Sequence, residues 1–308
     1  MDPNHILSVS QFDPDRIVRL FSRVREMRGI ARRGRCSILD SRIMASLFYE
    51  PSTRTRLSFE SAMLRLGGEV IGTESAGHFS SVTKGESLED TVRIVGGYSD
   101  VIVVRHPERG SAQRAASVSS VPIINAGDGD GEHPTQALLD LFTILERFPN
   151  KKDLTVVFAG DLKYGRTVHS LARLLGLYRI RMRFVSPEVL SLPSVHRDEL
   201  VEMGSDLRED RSLAQAIEEA DVLYMTRVQK ERLTGEQGVQ TDGRDYALSH
   251  ELVGRMKDAT IVMHPLPRNA ELPTWFDADP RAAYFQEAQN GLYVRMALLE
   301  ELLNPFPG

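Results

Sequence analysis

The stretch Ser46-Leu47-Phe48-Tyr49-Glu50-Pro51-Ser52-Thr53-Arg54-Thr55-Arg56-Leu57-Ser58-Phe59-Glu60 decides how this 308-residue chain is read. Its first half is a strand: Ile43 to Tyr49 is mostly apolar and is cut off by Glu50-Pro51. Its second half is a helix, with Ser52 at the N-cap and Phe59, Met63 and Leu66 on one face. Gly67-Gly68 ends that helix. Two hydroxyl residues and two arginines sit where strand meets helix. Open N–H groups at a helix start, the helix dipole and a forked cation together make a seat for a phosphate. The plainer reading is a capped helix with surface arginines, in which Arg56 pairs with Glu60 one turn on.

The length suggests two domains, each large enough for its own core. Hydrophobic residues make up 41% of the chain, an ordinary value for a globular protein. The net charge of -5 argues against a nucleic-acid binder. No apolar run reaches the roughly 18 residues of a membrane span, so no membrane partner is expected. Met1 to His5 shows no basic-then-apolar leader, and a cytoplasmic location is the expectation, with a lost organellar targeting segment left open. Cys36 is the only cysteine, which excludes an internal disulfide and a cysteine-based zinc site. Only six of the 38 basic residues are lysines, so an arginine needs support from its surroundings before it means anything.

Outward from the opening stretch, apolar strands alternate with amphipathic helices. Asp13 to Arg28 is helical, with Ile17, Leu20, Phe21 and Val24 on one face. Strands are expected at Val70-Ile71, Asp100–Arg105 and Val121–Asn125, with a polar loop over Gly72–Lys84. Helices are expected over Leu88–Tyr98 and Gly110–Ser119. A long spine helix, about residues 134–148, then leads to a second alternation. Its strands are 154–159, 180–185, 222–225 and 260–263, and its helices 167–177, 212–219, 248–256 and 286–303. The fold class is therefore α/β, in two domains, each a mainly parallel sheet flanked by helices. Ligands of such sheets bind beyond the carboxyl ends of the strands. Six strand ends here carry polar groups: Ser52–Arg56, Arg105-His106, Asp128 onward, Lys163–Arg166, Thr226-Arg227 and His264–Arg268.

Each of these has a chemical reading beside a structural one. Arg105 ends a strand and could simply be a solvated cap. His133 and Gln136 share the first turn of the spine helix; together they can donate to a carbonyl oxygen and accept from an amide, although a lone histidine there is often a helix cap. Asp128 and Asp130 lie in a glycine-rich turn without the glutamate of a calcium loop, so no metal is expected. Gly160–Thr167 nearly matches a nucleotide-binding P-loop, but Arg166 replaces the lysine and Asp161 would repel a phosphate. Arg166 and Arg227 together suit a dicarboxylate.

The run P-S-T-R-T-R after a buried strand resembles the carbamoyl-phosphate loop of the aspartate and ornithine carbamoyltransferase family. V-R-H-P at 104–107, H-P-T-Q at 133–136, G-D-L-K-Y-G-R-T-V-H-S from 160, and H-P-L-P-R at 264–268 follow in that family's order. The resemblance covers about Asp40 to Leu303. Ornithine enzymes carry H-C-L-P where this chain has His264-Pro265-Leu266-Pro267, so the resemblance is to the aspartate branch. It implies transfer of the carbamoyl group of carbamoyl phosphate to the α-amine of L-aspartate, a step of pyrimidine biosynthesis, without cofactor or metal. It implies that Ser52, Thr53, Arg54, Thr55, Arg105, His133, Gln136, Leu266 and Pro267 bind carbamoyl phosphate. Of these, Arg54, Thr55, Arg105 and His133 would carry the catalysis. Lys84, Arg166, Arg227 and Gln229 would bind aspartate. Ser80 and Lys84 would come from a neighbouring subunit of a homotrimer, and regulatory chains are left open. By its sequence alone Lys84 reads as a surface loop lysine. The domains implied are 1–132 plus 286–308 for carbamoyl phosphate and 133–285 for aspartate, closing over the substrates. A catalytically silent homologue acting in assembly is the alternative of a different class.

Overall fold

The computed structural model describes residues 4–74, 85–149, 153–228 and 246–304. It divides into two compact units, residues 1–139 with 289–308 and residues 140–288. The sequence put the first division at 132/133. The observed one lies inside a helix, α5 (Pro134–Arg147), at Leu139/Asp140.

Unit 1 is a parallel sheet of β1 (Ile43–Phe48), β2 (Glu69–Glu74), β3 (Val101–His106) and β4 (Ile123–Asp128), in the order β2-β1-β3-β4. β1 is buried from Met44 onward because helices cover both faces, which is why its sequence reads as one apolar run. The helices are α1 (Pro14–Arg33), α2 (Thr53–Arg65), α3 (Leu88–Gly96) and α4 (Ser111–Ala116). α1 starts where Asp13 accepts the Arg16 N–H and Pro14 occupies the first turn, and it buries Ile17, Leu20, Phe21, Val24 and Met27. It is tied to the end of the C-terminal helix α10 (Tyr284–Leu303) by Arg16 on Glu301 at 2.9 Å and by Arg23 on Glu300.

Unit 1 differs from expectation in several places: α1 runs on to Arg33, and α4 is shorter than the 110–119 expected. β2 continues through Glu74, past the loop start expected at Gly72: Gly72 pairs in register with Ser46, where a Cβ would sit 2.7 Å from the Ser46 carbonyl oxygen. And the N-terminal segment joins the sheet: the Ile6 N–H donates to Ile123 O, and Asn125 N–H to Ile6 O, both at 2.8 Å.

Unit 2 is a parallel sheet of β5 (Thr155–Ala159), β6 (Arg181–Val185), β7 (Leu207–Asp210), β8 (Val222–Met225) and β9 (Ile261–Met263), in the order β7-β6-β5-β8-β9. Its helices include α6 (Arg166–Leu177), α7 (Ser194–Glu202), α8 (Leu213–Ala216) and α9 (His250–Arg255). α7 and β7 were not legible in the sequence, and α8 and α9 are shorter than expected. β7 is a polar edge strand held to β6 partly by charge: Arg183, almost fully buried, meets Asp210 at 2.8 Å and Glu219 at 2.9 Å. The core packs Phe158 flat on Phe184, with centroids 5.3 Å apart, and edge-on to Tyr224 at 5.5 Å. The buried Tyr224 hydroxyl donates to Asp140 at 2.8 Å, and burial pushes its pKa up. At the surface, Trp275 stacks on His250 with centroids 3.8 Å apart. Among the described residues no helix is long and apolar enough to cross a membrane.

Both sheets are wound in two directions from their first strand. In unit 1 the order reverses between β1 and β3, and in unit 2 between β5 and β8. Such a switch point leaves a crevice at the carboxyl ends of the two strands.

Candidate active site

In unit 1 the switch point is bounded by the segment after β1 and by Arg105 at the end of β3. The two meet directly: Phe48 is in register with Arg105, and the Tyr49 N–H donates to Arg105 O at 2.8 Å. α2 starts at Thr53 with Ser52 at the N-cap position. The Ser52 hydroxyl accepts no capping bond, unlike Asp13, Ser87 and Ser249 at the starts of α1, α3 and α9. The Ser52 side chain therefore does not consume a first-turn N–H group of α2. Thr53 and Arg54 are exposed, and Thr55 is buried. The expected surface pairing holds for Arg56, which lies 3.5 Å from Glu60, itself a hydrogen-bond acceptor for Ser46 at 3.2 Å.

Arg105 is held in place from two sides. Its guanidinium meets Glu50 at 3.0 Å and donates to Ala126 O at 3.1 Å, leaving 11% of the side chain exposed. Next to it, His106 tilts against the Tyr49 ring, 4.9 Å between centroids, and burial lowers its pKa. β4 then delivers Asp128. Its carboxylate accepts the N–H of Gly110 (2.9 Å), that of Glu132 (2.8 Å) and the amide of Asn125 (3.2 Å). Gly129 turns the chain at φ +58°, where a Cβ would lie 2.6 Å from Pro107 O. Both oxygens of Glu132 are used: the Ser8 hydroxyl donates at 2.6 Å and the Val9 N–H at 2.9 Å. The buried His133 follows, and its carbonyl accepts the N–H groups of Gln136 and Ala137 at 3.0 and 3.2 Å, so it heads α5. Gln136 is half-buried. Three consecutive strand ends of one sheet thus carry Ser52–Thr55, Arg105, and His133 with Gln136.

In unit 2 the switch point lies between Arg166, first residue of α6, and Arg227, two residues past β8. The two loops are fastened together. Gly160, at φ +114°, lies against the Thr226 carbonyl with no room for a Cβ. The buried Thr226 hydroxyl bridges Ala159 O and Asp161 O, each at 3.2 Å. Asp161 is buried and accepts the Tyr164 N–H at 2.9 Å, so in the near-P-loop it serves its own backbone. His169 of α6 holds Leu162 O at 2.8 Å. Gly165 precedes Arg166 and supplies no side-chain cap. Arg166 and Arg227 are half-buried.

After β9, the bond before Pro267 is cis; Leu266 is half-buried and Pro267 exposed. Arg268 is engaged by Asp277 and the Tyr284 hydroxyl. Asp277 is held down at about 2, mainly by the hydrogen bond from Arg268. Ser80, Lys84 and Gln229 lie outside the described residues. The sequence reading assigned no role to Glu50, Glu132 or Glu271. Glu50 was in plain view, an acid six residues before Arg56, but its partner stands on another strand.

The family model for the carbamoyl-P binding domain of aspartate/ornithine carbamoyltransferase matches residues 4–146, and that for the Asp/Orn binding domain matches residues 152–302. A chloroplastic aspartate carbamoyltransferase of Arabidopsis thaliana is 49% identical over 301 residues, 97% of this chain and 77% of the relative. The catalytic subunit of M. jannaschii aspartate transcarbamoylase superposes with a TM-score of 0.89 at 44% identity, covering 98% of each chain. Aspartate transcarbamoylase from Trypanosoma cruzi, in complex with carbamoyl phosphate and aspartate, superposes with a TM-score of 0.92 at 41% identity, covering 98% of this chain and 97% of that one. With both domain models matched and these identities across nearly its whole length, the chain belongs to the aspartate/ornithine carbamoyltransferase family and, within it, to the aspartate carbamoyltransferases.

Proposed function

We propose that the chain transfers the carbamoyl group of carbamoyl phosphate to the α-amine of L-aspartate, giving N-carbamoyl-L-aspartate and phosphate in pyrimidine biosynthesis, and that the two arginine-flanked switch points do this work. The observation that carries the reading is the strand order. Each sheet reverses between two strands whose ends bear an arginine: Arg54 and Arg105 in one unit, Arg166 and Arg227 in the other.

In this reading Ser52, Thr53, Arg54, Thr55 and the first-turn N–H groups of α2 take the phosphate. Arg105 binds the phosphate and the developing oxyanion, and His133 donates to the carbamoyl oxygen. Gln136 and the Leu266 and Pro267 carbonyls accept from the carbamoyl amide. Arg166, Arg227 and Gln229 take the two carboxylates of aspartate. The neutral amine then adds to the carbamoyl carbon, forming the C–N bond. Negative charge collects on the carbamoyl oxygen, where Arg54, Thr55, Arg105 and His133 stabilise it. The C–O bond to phosphate breaks, and the leaving phosphate takes the proton shed by the amine. Positioning and preorganised charge supply the rate. No covalent enzyme intermediate enters the scheme.

The test is ureido-product formation from carbamoyl phosphate, with aspartate and ornithine in parallel. Turnover with aspartate alone is expected; turnover with ornithine, or with neither, overturns the reading. A cytoplasmic homotrimer, in which Ser80 and Lys84 serve a neighbouring copy's site, is part of the same proposal and rests on family likeness. Mixing Lys84→Ala with Arg54→Ala protein checks it: subunit exchange should restore activity, and no recovery counts against shared sites.

A further inference from the structure

We infer that His264 is a positioning residue: its Nδ1 fixes the Leu266 backbone, and with it the direction of the Leu266 carbonyl. The functional part of this inference rests on the role proposed above for that carbonyl.

The argument starts from donors and acceptors. His264 follows β9 and is 2% exposed. Its own N–H donates to Glu287 at 2.9 Å. Its Nδ1 lies 2.8 Å from the Leu266 nitrogen. A backbone N–H can only donate, so Nδ1 must present a lone pair. The ring proton therefore sits on Nε2, which faces Glu271 at 3.0 Å. The same Glu271 oxygen accepts the Asn269 N–H at 2.8 Å. Burial pushes the Glu271 carboxyl up, but the hydrogen bonds from His264 and the backbone outweigh burial and leave it below its ordinary value. Glu271 is thus a charged acceptor that selects the Nε2–H tautomer. The pair ties down backbone N–H groups on both sides of Pro267.

Leu266 needs that support. Its φ is +51°, in the left-handed region, which a leucine adopts only when its surroundings impose it. Turning Leu266 back to negative φ would swing its carbonyl away and leave its N–H without Nδ1. Each imidazole nitrogen has a protein partner, so His264 acts through the turn and touches no substrate.

Two isosteres separate the two ring nitrogens. In His264→Asn the amide oxygen stands where Nδ1 stood and can accept from Leu266, but nothing reaches Glu271. In His264→Gln the amide nitrogen stands near Nε2 and can donate to Glu271, but Leu266 loses its acceptor. The asparagine variant should keep kcat/KM for carbamoyl phosphate within about three-fold of wild type, while the glutamine variant should lose about ten- to a hundred-fold. KM for aspartate should stay level in both, and amide exchange at Leu266 should accelerate only in the glutamine variant. Equal losses that track the fall in Tm, or a glutamine variant better than the asparagine one, overturn the inference. The exchange readout needs no turnover, so it still decides if the wild type makes no ureido product and the functional reading itself has failed. Should either variant not fold, 15N-histidine spectra of the wild type decide: a protonated Nδ1 on His264 overturns the inference.

Discussion

The two units are both parallel sheets wound in two directions from their first strand, four strands in one and five in the other, and they brace the loops that carry their arginines differently. In unit 1 the guanidinium itself is pre-placed: Glu50 grips Arg105, and the Ala126 carbonyl takes a second N–H. The turns around it are also fixed by carboxylates, with Asp128 gathering three donors and Glu132 holding the N-terminal segment. In unit 2 the backbone beneath the arginines is pinned. Neutral groups do most of that: the Thr226 hydroxyl spans two carbonyls, and His169 holds a third. The difference teaches that the loops at a switch point can be braced by charge or by neutral groups. A side chain clamped by an acid meets its anion with a competitor already in place.

The largest effect expected is at the phosphate seat. Arg54→Ala should lower turnover roughly a hundred- to a thousand-fold, as loss of a donor to a developing oxyanion does elsewhere. Steady-state rates at saturating substrates check this, and a normal rate would remove the seat from α2. Next comes the acid clamp of unit 1. Asp128→Ala strands three donors and should cost about 3 kcal/mol, read as a lower urea midpoint; a loss under about 1 kcal/mol would mean that the carboxylate ties are ornamental. Arg227→Ala should raise KM for aspartate about ten- to a hundred-fold and spare carbamoyl phosphate binding, from the loss of one charge-assisted fork. If both substrates weaken together, the division of labour fails. Glu132→Ala should cost about 1 kcal/mol and speed amide exchange at Val9 and Ile6, while leaving unit 2 amides unchanged.

The smallest effect concerns Asp277. Folding lowers its pKa from an ordinary 3.8 to about 2, so the native state binds fewer protons there than the unfolded chain. Its contribution is complete above about pH 4 and is lost as pH falls toward 2. The side chain is one-third exposed, so solvent screening keeps the contribution to a few tenths of a kcal/mol. The Tm gap between wild type and Asp277→Asn should therefore narrow between pH 5 and pH 2.5. A constant gap would show that the Arg268 pairing does not stabilise the fold.

Much of this was legible because it is local. β1 and α2 announce themselves through an apolar run, a proline stop and an N-cap serine, all within 15 residues. The arginines at strand ends were legible for the same reason, since strand ends are sequence features. β7 was not: Leu207-Arg208-Glu209-Asp210 is charged because it is an edge strand that pairs through Arg183, so no period-two apolar pattern marks it. The Ile6 bridge depends on residues more than a hundred positions away, and no window sees it. His264 stands in a visible motif, yet only the fold brings the Leu266 N–H and the Glu271 carboxylate to its ring.

The stacked pair at the surface of unit 2 has a practical consequence. Trp275 is the only tryptophan in the chain. Its indole lies flat on the imidazole of His250, with an interplanar angle of 20°. Emission excited selectively at the indole therefore comes from one place in one unit, with no background from the other. Opening of the contact between the 274–278 turn and the start of α9 should change the brightness and colour of that emission. Circular dichroism, by contrast, averages over every helix in both units. Following the two signals through one denaturation separates the opening of this contact in unit 2 from the overall loss of helix, without a label and without a mutation.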